Sequence, residues 1–284
     1  MQTRRIEVAG LGLQVLEGGP PDGRPLLLVH GWGGAKEDFG DHLDALGELG
    51  WHAVAPDLRG HGESDKPEGE EAYSLRIFAG DVVGLSKALG WRRFVLVGHS
   101  MGGMVAQRVA IDATSHLAGL VLMDTSHGAP DGVEPELAGM AREIVSKGGM
   151  ELLVEVQREM AGPLDTEAHL RLVETRPGYR EFGERKTLNS SPDMWLSMLD
   201  EILGQDDRLA SLAGVAVPTL VIVGDQDTPF LGQSEAMVGA MPEAHLAVIP
   251  DAGHSPQFEN PDAWFEVVTS FLYRISTRLD VPVA

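Results

Sequence analysis

One serine of this chain, Ser100, lies between glycines directly after an apolar run, in the stretch FVLVGHSMGG from Phe94 to Gly103. A serine hydroxyl is a weak nucleophile at neutral pH. It needs a base to take its proton and donors to stabilise the oxyanion that forms. Flanking glycines let a strand turn sharply into a helix, which exposes the serine at the turn. The spacing G-x-S-x-G after an apolar run therefore predicts a nucleophilic serine.

The elements that would position this serine alternate between strand and helix patterns along most of the chain. Apolar runs predict buried strands at 25–31, 51–57, 92–98, 117–124, 218–224 and 244–250. Helical spacing of apolar residues predicts helices at 36–48, 75–89, 101–111, 231–240 and 261–275. Before them, alternation at 4–9 and 11–17 around Gly10 predicts an antiparallel hairpin. This order predicts an α/β protein with a mostly parallel central sheet that is flanked by helices on both faces.

The interval 128–213 breaks this alternation, because it contains no convincing strand pattern. It predicts helices near 135–147, 149–161 and 192–203, and the last would begin with Ser191 as N-cap and Pro192 at the first helical position. We therefore expect a core domain formed by 1–127 and 214–284. An all-helical cap insertion, 128–213, would lie over one edge of the sheet.

Composition excludes several classes of function. The 284 residues carry a formal net charge of −21, and such a surface repels phosphate backbones, so we expect no nucleic-acid partner. There is no cysteine, which removes thiol nucleophiles and thiolate metal sites. No apolar run reaches about 18 residues and no signal peptide is evident, so we expect a cytoplasmic protein without a membrane span. Nothing in the sequence indicates an oligomeric state.

Cofactor motifs are also missing from the sequence. No H-E-x-x-H or comparable cluster predicts a metal site. The glycines after the strands do not spell G-x-G-x-x-G at a strand-to-helix turn, which argues against a dinucleotide site. We therefore expect neither a metal nor another cofactor.

Five stretches together resemble the α/β-hydrolase family, and the resemblance covers nearly the whole chain. They are LLLVHGWGG (26–34), APDLRGHGES (55–64), VGHSMGG (97–103), PTLVIVGDQD (218–227) and DAGHSPQFENP (251–261). They occur in the family's order, which is also the order nucleophile, acid, base. The resemblance implies the α/β-hydrolase fold and a serine esterase or lipase-like member with a helical cap.

The resemblance also implies the partners of Ser100. The base would be His254, in the loop after the last predicted core strand. The orienting acid would lie after the strand LVIVG, where the family pattern G-x-x-D selects Asp227, 27 residues before the histidine. Asp225 is the alternative in the same loop, and Asp124 at the end of LVLMD is a third candidate, because some members take the acid from that strand.

Two backbone N–H groups would form the oxyanion hole in this family. One is that of Met101, directly after the nucleophile, and the H-G-x alignment gives Trp32 as the other. Apolar side chains of the insertion would either pack the cap or limit the acyl chain. The candidate substrate pocket consists of Trp32, Met160, Met194, Trp195 and Met198.

The expected activity is that of a serine carboxylesterase, which cleaves small to medium acyl esters through an acyl-enzyme. The partner would be a small-molecule ester. The same triad also serves lactonases, carbon–carbon bond hydrolases, thioesterases and acyltransferases or perhydrolases. A non-catalytic small-molecule binder on the same scaffold is a further alternative. An aspartate at position 100 would have indicated a dehalogenase or an epoxide hydrolase instead.

Overall fold

An eight-stranded sheet forms the centre of the molecule. The computed structural model describes residues 1–130, 135–160, 162 and 164–276. The strands are β1 Gln2–Val8, β2 Leu11–Gly18, β3 Arg24–Val29, β4 Trp51–Pro56, β5 Phe94–His99, β6 Leu117–Met123, β7 Thr219–Gly224 and β8 Ala244–Ile249. Their order across the sheet is β1-β2-β4-β3-β5-β6-β7-β8.

Strand directions confirm the predicted, mostly parallel sheet. β1 and β2 form the expected antiparallel hairpin, and β2 also pairs antiparallel with β4. From β4 across to β8 every neighbouring pair is parallel. The carboxyl ends of six consecutive strands therefore meet at one edge of the sheet.

Helices connect these strands and cover both faces of the sheet. They are α1 Gly40–Glu48, α2 Leu75–Ala88, α3 Met101–Asp112, α4 Pro135–Glu159, α5 Glu167–Thr175, α6 Tyr179–Leu188, α7 Pro192–Gly204, α8 Leu209–Leu212, α9 Thr228–Ala240, α10 Pro256–Glu259 and α11 Pro261–Ser276. The helix predicted at 36–48 is divided, because a 3₁₀ turn at Lys36–Phe39 precedes α1.

Alternating side chains of the central strand β5 fill two separate apolar cores. Phe94 and Leu96 belong to one core, and Val95 and Val97 belong to the other. All six residues of β5 are buried, as expected for a parallel strand that is covered on both faces. The two cores hold β5 in place from both faces, and this fixes the position of Ser100, which directly follows the strand.

Helices α4 to α8 all lie between β6 and β7. Gly149, with φ 65° and ψ −158°, breaks α4 close to the point where two helices were predicted to meet. α7 begins as expected, because the Ser191 side chain accepts a hydrogen bond from the Met194 N–H. Helices α5 and α6 were not predicted. The predicted domain limits stay a prediction, and residues 131–134, 161 and 163 of the insertion lie outside the described residues.

None of the helices among the described residues is long and apolar enough to cross a membrane.

Candidate active site

The predicted triad residues all follow carboxyl ends of parallel strands. Ser100 comes directly after β5, Asp227 follows β7 and His254 follows β8. Trp32 lies in the loop after β3, the neighbour of β5 in the sheet. Open parallel sheets bind ligands at this edge. The topology thus brings together residues that are far apart in sequence.

A strained turn holds Ser100 at the junction of β5 and α3. Its φ of 53° and ψ of −119° are unusual for a residue with a side chain, and such strain is often found at functional sites. A Cβ at Gly98 or at Gly102 would lie under 3.0 Å from neighbouring backbone atoms. The Ser100 N–H donates to the Met123 carbonyl at 2.8 Å, which anchors the turn to β6. The two glycines are therefore required for this turn.

The side chains of Ser100, His254 and Asp227 form one chain of hydrogen bonds. The Ser100 Oγ lies 2.9 Å from His254 Nε2, and Asp227 Oδ2 lies 2.8 Å from His254 Nδ1. A carboxylate can only accept, so Nδ1 carries the proton and Nε2 accepts from the serine hydroxyl. The Asp227 side chain is fully buried and that of His254 is 12% exposed. This arrangement can remove a proton from the serine and return it to a leaving group.

The two alternative acids occupy other positions. Asp225 is exposed, and its Oδ1 accepts a hydrogen bond from the Ala252 N–H at 3.2 Å. Asp124 is fully buried after β6, and its Oδ1 accepts from the Gly224 N–H at 2.9 Å. Of the three carboxyls, Asp227 is the one that contacts the His254 ring.

Two side chains that the sequence analysis did not select as site residues hold the His254 loop. His99 Nε2 donates to the His254 carbonyl at 2.6 Å, and burial lowers the pKa of His99 to about 3, so its ring stays neutral. Glu259 Oε2 accepts from the N–H groups of Gly253 and Ser255, which flank His254. Burial raises the pKa of Glu259 above its usual value. The contact with His99 spans 155 residues, so no local sequence pattern could have shown it.

The candidate oxyanion donors lie on either side of Ser100. Met101 is the first residue of α3, where N–H groups point out of the helix and favour negative charge. A Cβ at Gly31 would lie 3.0 Å from the Ser100 Cβ, so the loop that carries Trp32 contacts the nucleophile. Within the described part of the chain, neither the Met101 nor the Trp32 N–H donates to a protein acceptor. Both are therefore available to a ligand.

Two buried histidines fix the loop that carries Trp32. His30 Nδ1 donates to the Gly31 carbonyl at 2.7 Å, and His61 Nε2 accepts from the Gly33 N–H at 3.3 Å. Burial lowers the pKa of both rings, which keeps them neutral. They are thus parts of a hydrogen-bond network that holds these loops.

The candidate pocket residues differ in how far their side chains are exposed. Trp32 packs on Trp195 of α7, with ring centroids 4.4 Å apart, while Met194 and Met198 are fully buried in the core. Met160 is 53% exposed and lines a cavity of about 400 Å³. The two buried methionines expose no surface that a ligand could contact in this conformation. Their assignment to the pocket stays a prediction.

The cavity extends from the catalytic histidine to the insertion. Its lining includes His254, Ser255, Met160, Leu170, Tyr179 and Phe182. The insertion also contacts the loops of the site directly. The Ala168 N–H of α5 donates to Gln226 Oε1 at 2.8 Å, next to Asp227 in the chain. Helices α5 and α6, together with the C-terminal end of α4, therefore border the candidate site.

No group of three or more metal-ligating side chains occurs among the residues with described positions. The expectation of a cofactor-free site stays a prediction.

Comparison with known proteins gives the family. Residues 24–261 match the model of the α/β hydrolase fold. The chain is 27% identical to epoxide hydrolase A of Mycobacterium tuberculosis, over 97% of this chain and 98% of that protein. It is 29% identical to lipase 3 of a Moraxella species, over 84% of this chain and 73% of that protein. The solved structure of a thermophilic esterase from Thermogutta terrifontis superposes with a TM-score of 0.80 at 29% identity, over 97% and 99% of the two chains.

These matches confirm the resemblance that the five motifs indicated. The chain belongs to the α/β-hydrolase fold family and is a hydrolase of that fold.

Proposed function

We propose that this hydrolase is a serine carboxylesterase that cleaves small to medium acyl esters through an acyl-enzyme. One observation carries the proposal. The Ser100 Oγ lies 2.9 Å from His254 Nε2, while the opposite ring nitrogen is bonded to the buried Asp227 carboxylate. This geometry favours a hydroxyl that attacks a carbonyl carbon and a base that shuttles one proton.

In the acylation step, the Ser100 Oγ attacks the ester carbonyl carbon as His254 Nε2 takes the hydroxyl proton. The carbonyl oxygen becomes an oxyanion, which the N–H groups of Met101 and Trp32 would stabilise. The C–O bond to the leaving group then breaks, and His254 returns the proton to the departing alkoxide oxygen. The products of this half-reaction are an alcohol and an acyl ester on Ser100.

In the deacylation step, water takes the place of the alcohol. His254 removes a proton from water, and the hydroxide attacks the acyl carbon through a second oxyanion. The bond to Ser100 breaks, the proton returns to its Oγ and a carboxylic acid leaves. Asp227 holds the same ring tautomer through both steps and stabilises the imidazolium. Neither of these two reaction steps requires a metal or a redox group.

The insertion would act as the cap in this proposal. The cavity beside His254 is bordered by apolar side chains such as Met160, Leu170 and Phe182, and it could hold the acyl chain or the alcohol. Methionine adapts its shape to a ligand, which suits a surface that limits substrate size. The cap would thus control chain length and contribute no member of the triad.

Similarity to an epoxide hydrolase raises a second chemistry, which Ser100 disfavours. If a serine oxygen opened an epoxide ring, the enzyme would be left with an alkyl ether. An ether has no carbonyl carbon for water to attack, so the enzyme would not turn over. An acyl ester on the same oxygen is readily hydrolysed. The serine at position 100 therefore favours acyl transfer.

A hydrolysis screen tests the proposal. p-Nitrophenyl esters of rising acyl length are assayed beside lactones and thioesters, with wild-type protein and with Ser100→Ala as the control. We expect turnover of short and medium esters that the alanine variant lacks. Turnover confined to lactones or thioesters would replace the carboxylesterase assignment by that class. No turnover of any acyl substrate would favour the non-catalytic binder.

A further inference from the structure

Asp124 is a buried carboxyl that the proposed mechanism does not use. It directly follows β6, no part of it is exposed, and its φ of 46° is rare for a residue other than glycine. Its N–H donates to the Ile222 carbonyl at 2.9 Å, and its Oδ1 accepts from the Gly224 N–H. The residue is therefore held between β6 and β7, directly beneath the loop that carries Asp227.

One oxygen of Asp124 and one of Asp227 have no hydrogen-bond partner among the described residues. Asp124 Oδ2 and Asp227 Oδ1 are both buried, and neither is bonded to a donor among the described residues. Gly224 links the two residues, because its N–H donates to Asp124 Oδ1 and its carbonyl accepts from the Asp227 N–H at 3.1 Å, and the Asp227 carboxyl is close enough to raise the pKa of Asp124. Two ionised carboxylates at such a distance in a dry site repel strongly, and a single shared proton removes the repulsion. The same proton satisfies both orphaned oxygens.

We propose that Asp124 is a positioning residue of the catalytic site, which keeps its proton and donates it in a hydrogen bond from Oδ2 to Asp227 Oδ1. This bond fixes the rotation of the Asp227 carboxylate, so that Oδ2 faces His254 Nδ1. The chain of hydrogen bonds then has four members, Asp124, Asp227, His254 and Ser100. The inference rests on the proposed function, because it assigns a role within the same triad.

The surroundings of the pair explain why Asp124 holds the proton. Burial raises the pKa of Asp124 well above its usual range, and the negative charges of Asp227 and Glu259 raise it further. The Gly224 N–H opposes this effect with a single hydrogen bond. Asp227 instead accepts the hydrogen bond from Nδ1–H of the His254 ring, which becomes a cation during the reaction.

Two substitutions separate the hydrogen bond from the backbone geometry. Asn tolerates φ near 50° and can present an amide N–H to Asp227 while its oxygen still accepts from Gly224. Gly also tolerates this backbone and removes the donor altogether. Asp124→Asn therefore keeps the bond without the titrating proton, and Asp124→Gly deletes the bond. Asp225→Asn is the matched control, since it changes a carboxyl in the adjacent, exposed loop.

The readout is the second-order rate at which a fluorophosphonate inactivates each variant between pH 4 and 9. This reagent loses fluoride when the activated Ser100 Oγ attacks phosphorus, so it reports on the triad whatever the natural substrate is. We expect Asp124→Gly to react about 10- to 100-fold more slowly than wild type, a loss like that seen when a group that orients a metal-ligating side chain is removed. Asp124→Asn should lose less than about fivefold, and Asp225→Asn should match wild type.

The fall of the inactivation rate at low pH, the acid limb of the same profile, tests whether Asp124 is protonated. If Asp124 is already neutral, Asp124→Asn leaves the limb where the wild type has it. If Asp124 is ionised, its replacement removes a negative charge near His254, which makes the ring harder to protonate and moves the limb about one pH unit or more downward. A downward shift of that size, or equal losses in the Asn and Gly variants, would overturn the proposal.

The reagent also separates this inference from the proposed function. A wild type that hydrolyses no ester but is still phosphonylated would refute the carboxylesterase assignment and leave the role of Asp124 testable. A wild type that does not react with the reagent would overturn both. Thermal melting of each variant shows whether a loss of rate reflects unfolding, and a folded Asp124→Asn variant alone suffices for the test on the acid limb.

Discussion

The carboxyl edge of the sheet and the helical insertion differ in how firmly their residues are held. Every residue of β5, β6 and β7 is buried, and these strands determine where Ser100 and Asp227 lie. By contrast, α6 has no buried residue. Among the described residues of the insertion, the large apolar side chains Met140, Met160, Leu170 and Leu188 remain exposed.

This difference suggests that the sheet edge carries out the reaction and that the insertion selects substrates by size. A reaction that depends on hydrogen bonds of 2.8 and 2.9 Å needs groups on rigid supports, and the doubly covered sheet provides them. Selection by substrate size needs only an adaptable apolar surface, which the insertion offers. Changes to the triad residues at the sheet edge should therefore lower turnover of all substrates alike. Changes to exposed apolar residues of the insertion should redistribute turnover among substrates.

The largest expected effect separates the two aspartates of the loop after β7. Asp227→Asn should lower kcat by about 10³- to 10⁴-fold, because an amide can hold the His254 ring in the wrong tautomer. Asp225→Asn should change kcat by less than about threefold, since that exposed side chain only accepts one backbone N–H. Steady-state kinetics on one ester decide the comparison. Similar small losses in both variants would show that the acid lies elsewhere, with Asp124 as the first candidate.

A smaller effect is expected from a matched pair of methionines in the insertion. Met160→Ala should alter kcat/KM across acyl lengths by up to tens of fold, because a methylene in a pocket discriminates by about 1–3 kcal/mol. Met198→Ala should instead lower the free energy of unfolding by about 2–5 kcal/mol, since that side chain is fully buried. Ester ladders and denaturant melts measure the two effects. An unchanged chain-length profile for Met160→Ala would contradict the proposed role of the insertion.

The smallest expected effect concerns stability at the sheet edge and its dependence on pH. The pKa of His99 is lowered to about 3 in the folded protein, whereas an unfolded histidine titrates near 6.5. Below about pH 6.5 the unfolded state thus binds more protons than the folded state. The contribution of His99 to stability is therefore present above about pH 6.5 and is lost as pH falls toward 3. Relative to His99→Gln, the wild type should lose a few degrees of Tm between pH 6.5 and 5. A difference in Tm that is independent of pH would contradict this account.

Sequence reasoning succeeded where residues carry a local signal. The apolar strands and the glycines around Ser100 predicted the sheet and the turn, and the family order of motifs led to Asp227 and His254. Helices α5 and α6 escaped prediction because they are short and Ala168 is their one fully buried residue, so few buried apolar positions mark them as helices. The contact between His99 and the His254 backbone, and that between Asp124 and Asp227, depend on which strands are neighbours. No single segment encodes them.

The central claim is that Ser100 is the nucleophile of an acyl-transfer reaction. The measurement that tests it most directly is kcat for a p-nitrophenyl ester with wild-type protein and with folded Ser100→Ala. The account predicts a loss on the order of 10³-fold or more, at an unchanged melting temperature. A variant that keeps more than about a tenth of the wild-type kcat would contradict the claim, because losing the attacking atom should leave only the binding and oxyanion contributions.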